Sequence, residues 1–308
     1  MAVEAEAPLD QRGRIVWAVI WMIGAIVSFS AMAVAGRAAS RGMDALQISV
    51  WRTLIGLVIL TAIVKAQGLA FSGLTSRRPG LQLVRSLIHF AAQLSWLYAL
   101  TRMTLAELTA IEFTAPLWVA LLAPFLLSER MTVLRAGAAI LGFIGVLIVV
   151  RPGAIPLSEG APFGMMAAIG YALSMIMTKR LLRGDSAFTI LFWMQGLQLL
   201  IGLAIVFGSA FAGYGHGLVL PDQVTFAWLV ALGVLGLTAH YALTKAFTFA
   251  DATIVAPMDF LRLPLIAAVG MIVYAEPLDF WVLGGGAVVV LANLLNIRGE
   301  RARAGNIR

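Results

Sequence analysis

Ten apolar runs, each long enough to cross a bilayer as a helix, alternate with short polar connections in this sequence. A helix needs about 20 mostly apolar residues to span the hydrocarbon core. Hydrophobic residues make up 61% of the chain and charged residues 12%, whereas a soluble domain has about 45–50% and about 25%. The sequence therefore predicts an all-α integral membrane protein with ten transmembrane helices. The runs cover approximately residues 15–36, 46–66, 82–101, 104–127, 132–150, 161–179, 187–208, 224–243, 252–273 and 278–297.

A passage of the first half of the chain recurs in the second half. Its order is an acidic residue, a proline, a glutamate and a glycine: Glu112, Pro116, Glu129 and Gly137 in the first copy, and Asp259, Pro264, Glu276 and Gly284 in the second. Aligning Glu129 with Glu276 also aligns the two glycines and places the two prolines within one residue of each other. Because five spans separate equivalent points, the copies must face opposite sides of the membrane, as in transporters built from inverted repeats.

The repeat predicts the domain organisation as two inverted five-helix halves. The expected segments are a cytoplasmic N-terminal tail over residues 1–13, a first repeat over 14–153, a second, inverted repeat over 154–297, and a basic cytoplasmic tail over 298–308.

Lysines and arginines predict the orientation, because they concentrate in the cytoplasmic segments of membrane proteins. With the N-terminus inside, fifteen of them lie in cytoplasmic segments, and the external loops hold only Arg37, Arg41, Arg102 and Arg151. Both termini are therefore expected in the cytoplasm, which places Glu129 inside and Glu276 outside. Because the formal charge of +7 is distributed between the spans in this way, it does not indicate a nucleic-acid partner.

The first copy of the repeated passage also carries a family resemblance. Its motif comprises Pro116, Ser128-Glu129-Arg130, Arg135-Ala-Gly137, Gly142, Gly145 and Pro152-Gly153. This pattern resembles that of the EamA-type transporters of the drug/metabolite transporter superfamily, and the resemblance extends over essentially the whole chain. The second copy departs from the pattern, with Glu276-Pro277 in place of Glu-Arg and Val289 in place of Gly142. The resemblance implies a bacterial inner-membrane exporter of metabolites, with amino-acid exporters, including aromatic amino-acid exporters, as the nearest suggestion.

The third span carries a polar stripe formed by Arg85, His89, Gln93 and Trp96. Spacings of four, four and three residues place these side chains on one helix face, which is expected to line a cavity inside the bundle. Three alternatives stay open. Arg85 can extend to the cytoplasmic headgroups, His89 can be a packing residue, and Trp96 can belong to an interfacial aromatic belt.

Glu112 is the best single candidate for a substrate-amine or proton site. It lies within the fourth span, where a charged residue is costly and usually functional. Pro116 frees the carbonyl of Glu112 from its helical hydrogen bond, so a bend is expected there. The alternative for Glu112 is a structural pair with an arginine such as Arg52. Glu107, nearer the outer surface, is expected to stabilise the helix end.

The ninth span is the counterpart of the fourth and contains Asp259 and Arg262 between Pro257 and Pro264. The two charged residues are three apart, so they can pair along one helix face. A zwitterionic amino acid offers an ammonium to Asp259 and a carboxylate to Arg262. A self-satisfied ion pair that stabilises a kinked helix is the alternative. Pro116, Pro257 and Pro264 are the expected hinges.

Four further residues complete the predicted site. Tyr171, Trp193 and Tyr241 are expected to contribute an aromatic lining to the substrate cavity. Glu129 ends a span at the cytoplasmic face beside Arg130, and it is expected to pair there as part of a gate or of a structural clamp.

The motif content favours a transporter over an enzyme. The sequence has no HExxH, Walker A or GxSxG motif and no cysteine, so neither a cofactor nor a metal is expected. We expect a secondary transporter in the lipid bilayer that exports small molecules, amino acids first, by alternating access of its two halves. Export of another metabolite or drug class and a membrane-embedded enzyme are the alternatives. Proton coupling through Glu112 or His89 and facilitated efflux both stay open, as do a monomer and a homodimer.

Overall fold

The computed structural model describes residues 11–66, 68, 71–127, 133–151, 158–249, 258–277 and 279–305, and these form a helical bundle. The helices are α1 (Gln11–Ala39), α2 (Ala45–Ala66), α3 (Pro79–Leu100), α4 (Leu105–Glu112), α5 (Ala115–Leu127), α6 (Val133–Val150), α7 (Ala161–Leu181), α8 (Ala187–Phe211), α9 (Gln223–Phe249), α10 (Arg262–Tyr274) and α11 (Phe280–Gly305). Two short 3-10 turns lie at Phe71–Leu74 and Asp259–Leu261.

The predicted fold class is confirmed. Among the described residues, five helices are long and apolar enough to cross a membrane, and these are α1, α2, α7, α8 and α9. Three shorter apolar helices belong to α6, α10 and α11. The remaining spans are α3, which has 22 residues but carries the polar stripe, and α4 with α5, which follow each other as one interrupted span.

The helix packing has the two-fold symmetry that a duplicated chain requires. Moving five spans along the chain relates α1 to α7, α2 to α8, α3 to α9, the α4–α5 pair to α10 with its preceding turn, and α6 to α11. α1 packs on α9, and its counterpart α7 packs on α3. Likewise α2 packs on α9 while α8 packs on α3. In three packed pairs, a helix contacts its own counterpart in the other half, so these pairs lie around the symmetry axis. They are α2–α8, α6–α11 and α4–α10.

The spans around this axis are interrupted at equivalent positions. α4 ends at Glu112 and α5 begins at Ala115, in agreement with the bend expected from Pro116. In the second half, the 3-10 turn Asp259–Leu261 precedes α10. A broken helix leaves backbone groups that must be satisfied inside the bilayer. The side chain of Asn293 on α11 does this for the first break, because its Nδ2 donates to the carbonyl of Phe113 at 2.8 Å.

α6 and α11 cross in close contact through glycine. A Cβ placed on Gly145 would lie 2.8 Å from the carbonyl oxygen of Gly285 and 2.9 Å from the amide nitrogen of Val289. A Cβ on Gly285 would lie 2.6 Å from the carbonyl oxygen of Gly145 and 2.9 Å from the amide nitrogen of Val149. Each helix therefore rests on the backbone of the other, as small residues permit between membrane helices.

Asp185 joins the α2–α3 connection to the α7–α8 connection. Its carboxylate accepts hydrogen bonds from the Ser76 hydroxyl, from the Arg77 amide at 2.9 Å and from Gln82 Nε2 at 3.0 Å. Burial acts to raise the pKa of Asp185, but these hydrogen bonds outweigh it and hold that pKa below its ordinary value. The ionised side chain therefore stabilises the folded connection.

Replacing Asp185 with asparagine is expected to destabilise the protein by about 1–3 kcal/mol, because the donors around it lose a charged acceptor. The wild-type contribution is complete above the ordinary aspartate pKa of about 4. It is lost as the pH falls through the lower folded-state pKa. Thermal unfolding in detergent measures the change. Asp44→Asn is the matched control, because Asp44 accepts the Leu46 and Gln47 amides at a helix start, where asparagine caps equally well. Equal melting temperatures for the two variants would contradict this role of Asp185.

Candidate substrate site

Three charged side chains meet at the two helix breaks, and we call Glu112, Asp259 and Arg262 the ionic triad. Arg262 Nη2 lies 3.2 Å from Asp259 Oδ2, and its Nη1 lies 3.7 Å from Glu112 Oε2. The side chains of Glu112 and Arg262 are only 13% and 14% exposed, so the triad lies inside the bundle. Glu112 therefore pairs with Arg262 and not with Arg52, and the Asp259–Arg262 pair forms as expected from their spacing.

Two aromatic rings hold the guanidinium of Arg262. Its Cζ lies 5.3 Å from the ring centroid of Phe29 on α1 and 5.3 Å from that of Phe113 at the α4–α5 break. At this distance the ring faces attract a cation. The position of Arg262 is thus set by α1, by the first break and by Asp259 together.

A small cavity adjoins the triad. It offers about 10 Å³ to the centre of a water molecule, close to the least that holds one water. Buried polar groups normally have hydrogen-bond partners. Here Asp259 Oδ1, Arg262 Nε and Ser30 Oγ have none within the described part of the chain, so they have bonding capacity left for a ligand or water. The lining residues include Phe29, Ser30, Trp96, Thr109, Glu112 and Arg262.

The polar stripe of α3 lies inside the bundle over its whole length. Arg85, His89, Gln93 and Trp96 are between 1% and 7% exposed. Arg85 Nε donates to Thr178 Oγ1 of α7 at 2.6 Å, so this side chain is held by the neighbouring helix. Trp96 lines the cavity beside the triad, which places it away from an interfacial belt.

His89 is surrounded like a packing residue, and it also lies near the cavity. Its Nδ1 lies 2.8 Å from Nε2 of Gln198 on α8. Its ring lies 5.4 Å from that of Tyr171 and 6.4 Å from that of His240, measured between ring centroids. The structure therefore brings His89 and Tyr171 together, while their role as lining residues stays a prediction.

Two predicted lining residues lie elsewhere. Trp193 Nε1 donates to the carbonyl of Leu74 at 2.7 Å, so this side chain anchors the 3-10 turn after α2. Tyr241 is 49% exposed and packs edge-on against Trp21. Among the predicted hinges, Pro116 and Pro264 lie in the first turns of α5 and α10. Glu129 and Pro257 lie outside the described residues.

Sequence reasoning missed several residues that surround the triad. The sequence carried no signal that marks Phe29 as a site residue, because it lies in a span where apolar residues are expected at every position. The sequence did carry a signal for Asn293 and Gln198, since a buried amide in an apolar span must find a hydrogen-bond partner. The ring of His240 meets that of Phe29 edge-on, with 5.4 Å between the centroids, and this contact depends on how α1 and α9 pack.

A second ionic cluster closes the bundle at the end of α1, and we call Arg37 and Glu276 with their contacts the Arg37 cluster. Arg37 forms an ion pair with Glu276, and it donates to the carbonyls of Leu100 at 2.8 Å and Met103 at 2.6 Å. Glu276 also accepts from the amide of Leu105 at 3.0 Å, at the start of α4. The Arg37 cluster thus ties α1, the α3–α4 connection and the end of α10 together on one side of the cavity.

These features define a class of membrane protein. Broken helices that meet at a buried ionic site between two repeated halves are typical of secondary transporters. The chain belongs to the EamA-like transporter family, whose profile matches residues 16–151 and 158–298. It is a multi-pass membrane transporter of small molecules and not an enzyme.

The relatives of this chain carry several kinds of metabolite. The riboflavin transporter of Brucella anthropi is 29% identical, over 90% of this chain and 97% of that protein. The S-adenosylmethionine uptake transporter of Rickettsia bellii is 28% identical, over 91% and 93%. A solved crystal structure at 15% identity covers 90% of this chain and 95% of its own with a TM-score of 0.61, which shows a shared fold. Neither of these two relatives is an amino-acid exporter, so the finer resemblance to such exporters is not supported.

Proposed function

We propose that this protein is a secondary transporter that binds a cationic or zwitterionic metabolite at the ionic triad and moves it by alternating access. One observation carries the proposal. The carboxylates of Glu112 and Asp259 share a single guanidinium, and one oxygen of Asp259 has no partner among the described residues. The triad therefore has the capacity to accept a donor from a ligand.

The charge of the triad favours a cation. With both carboxylates ionised, Glu112, Asp259 and Arg262 together carry a charge of −1, and the side chains of Glu112 and Arg262 are only 13% and 14% exposed. An uncompensated charge in the membrane interior is costly, and binding of an ammonium group or a proton removes that cost. Proton coupling through Glu112 follows naturally, since a proton and a cationic substrate would compete for the same carboxylates.

The aromatic surroundings favour a substrate with a planar ring. Phe29 and Trp96 line the cavity beside the triad, and rings of this kind stack well on planar groups. The relatives named for riboflavin and S-adenosylmethionine support this, since both molecules contain a fused aromatic ring. S-adenosylmethionine also carries an ammonium and a carboxylate, so it fits the charges of the triad better than riboflavin does. An aromatic amino acid has the same groups on a smaller frame and is the second candidate.

We propose the bacterial inner membrane as the location, with both termini in the cytoplasm. Three of the four arginines expected outside are paired with acids: Arg37 with Glu276, Arg102 with Glu159 and Arg151 with Asp279. The orientation itself rests on the excess of lysine and arginine in the segments expected inside. In this orientation the Arg37 cluster closes the outer side of the cavity and must open for exchange with the outside.

A flux assay in proteoliposomes tests the proposed function. S-adenosylmethionine, tryptophan and riboflavin are loaded on either side in separate experiments, because the sequence predicted export whereas one relative is an uptake transporter. The expected result is saturable flux of S-adenosylmethionine or tryptophan that accelerates when unlabelled substrate is present on the opposite side. Absence of flux for all three, or chemical conversion without movement, would overturn the proposal.

A further inference from the structure

A further cluster lies beside the ionic triad, and within the described part of the chain its charged side chains are arginines that form no ion pair. We define the cationic cluster as Arg52 on α2, Arg85 and His89 on α3, and His240 on α9. Arg52 and Arg85 are each only 6% exposed. Both guanidiniums interact electrostatically with both imidazoles, so the four side chains share one region of the bundle.

The two arginines of this cluster lack counter-ions in the part of the chain that the structure describes. No described carboxylate lies within ion-pair distance of either guanidinium. Arg85 donates through Nε to the neutral Thr178 hydroxyl, while its buried Nη1 has no partner. The Arg52 guanidinium lies against Gly236 of α9, 3.9 Å from the place a Cβ would occupy. Because a buried charge without a partner is strongly destabilising, this region favours the arrival of an anion.

The cationic cluster is contiguous with the ionic triad. The ring of Phe29 lies 5.4 Å from that of His240 and 5.3 Å from Cζ of Arg262, so one side chain contacts both clusters. Tyr171 also interacts electrostatically with Glu112, Arg52 and Arg262. The two clusters are therefore neighbours inside the bundle.

Gln93 supplies an independent sign of a ligand in this region. It lies one turn along α3 from His89 and is 1% exposed, yet neither its Oε1 nor its Nε2 has a hydrogen-bond partner. Gln198 Oε1, on the far side of His89, is likewise unpartnered. Buried amides almost always form hydrogen bonds. Unused amide donors next to His89, in a cluster with two guanidiniums that have no described counter-ion, match an oxyanion group together with its neighbouring polar atoms.

We infer that Arg52 and Arg85 form an anion subsite that takes a carboxylate or phosphate group of the substrate while the ionic triad takes its cationic group. This inference rests on the proposed function and narrows the substrate class to molecules that carry an oxyanion. The charges are complementary, since the two arginines contribute +2 and the triad −1. A zwitterion with its charges several ångströms apart satisfies both ends.

Matched pairs of probes test the subsite through thermal stabilisation of the purified protein, because a ligand stabilises the state that it binds. Tryptophan is compared with tryptamine, which lacks the carboxylate, and riboflavin 5′-phosphate is compared with riboflavin, which lacks the phosphate. We expect that, in at least one pair, the probe with the carboxylate or phosphate raises the melting temperature more than the probe without it. The pair that shows the difference identifies the group as a carboxylate or a phosphate.

Variants assign the effect to the cluster. Arg52→Gln and Arg85→Gln are each expected to reduce the difference in apparent affinity between the two probes of a pair at least tenfold. Arg85→Lys should retain part of this difference, and the exposed Arg183→Gln should leave it unchanged. The inference is overturned if neither pair shows a difference in the wild type, or if the difference survives both glutamine substitutions. If the proteoliposome assay shows saturable flux but neither probe pair differs in thermal stabilisation, the transporter assignment stands and only the anion subsite is removed. If the glutamine variants do not fold, the wild-type comparison alone decides.

Discussion

Replacing Glu112 with glutamine is expected to lower the substrate flux by about 10- to 100-fold while the protein still folds. The substitution keeps the shape of the side chain but removes its charge, and Asp259 remains to pair with Arg262 at 3.2 Å. A hydrogen bond to a charged group contributes about 1.5–3 kcal/mol, and each 1.4 kcal/mol corresponds to a factor of about ten. The loss should appear in the concentration needed for half-maximal flux and, where flux is proton-coupled, in a flattened pH dependence.

Glu159→Gln is the matched control for Glu112→Gln. Glu159 has a side chain that is 70% exposed and pairs with Arg102 at the surface. Exposed pairs of this kind contribute about 0–1 kcal/mol, so flux should change little. Unchanged flux and unchanged pH dependence in Glu112→Gln would remove Glu112 from the mechanism.

Adding one methyl group at the α6–α11 crossing is expected to destabilise the protein by about 1–3 kcal/mol, the usual cost of overpacking. In Gly145→Ala the new Cβ would lie 2.8 Å from the carbonyl oxygen of Gly285, and in Gly285→Ala it would lie 2.6 Å from that of Gly145. Backbone atoms cannot rotate away as a flexible side chain can. The two helices must therefore separate at the centre of the symmetric bundle.

The same two helices provide controls for this substitution. Gly137 on α6 and Gly284 on α11 have nothing within 4 Å of an added Cβ. Alanine there should be neutral or stabilising, because it favours a helix over glycine by about 1 kcal/mol. Melting temperatures in detergent should fall for Gly145→Ala and Gly285→Ala and hold or rise for the controls. Indistinguishable values across the four variants would show that the crossing is looser than the structure describes.

The fold was largely predictable because membrane-spanning segments follow from local sequence. Apolar length gives the spans, and the offset between Glu129 and Glu276 gives the repeat. Local chemistry also predicted the break before Pro116 and the helix-end role of Glu107. Glu107 forms a capping box with Thr104 at the start of α4. Each of these features depends on a few residues that are neighbours in the chain.

The site was less predictable, because its contacts join residues far apart in the sequence. The cost of a charge inside a span predicts that Glu112 faces inward but not which arginine reaches it. Arg262 meets it 150 positions later because α4 and α10 pack around the symmetry axis. The aromatic residues were the weakest prediction. Interior and lipid-facing positions both favour such side chains, and Trp193 and Tyr241 consequently lie away from the triad.

The most direct test of the central claim, that the substrate binds in the cavity beside the ionic triad, is protection of Ser30→Cys from alkylation. The chain has no cysteine, so the introduced thiol is the only one that can react. Ser30 lines the cavity, whereas the exposed Ser186, as Ser186→Cys, serves as the control. A saturating concentration of a transported probe should slow the modification of Ser30→Cys severalfold and leave that of Ser186→Cys unchanged. Equal modification rates for Ser30→Cys with and without a probe that the variant still transports would contradict the account.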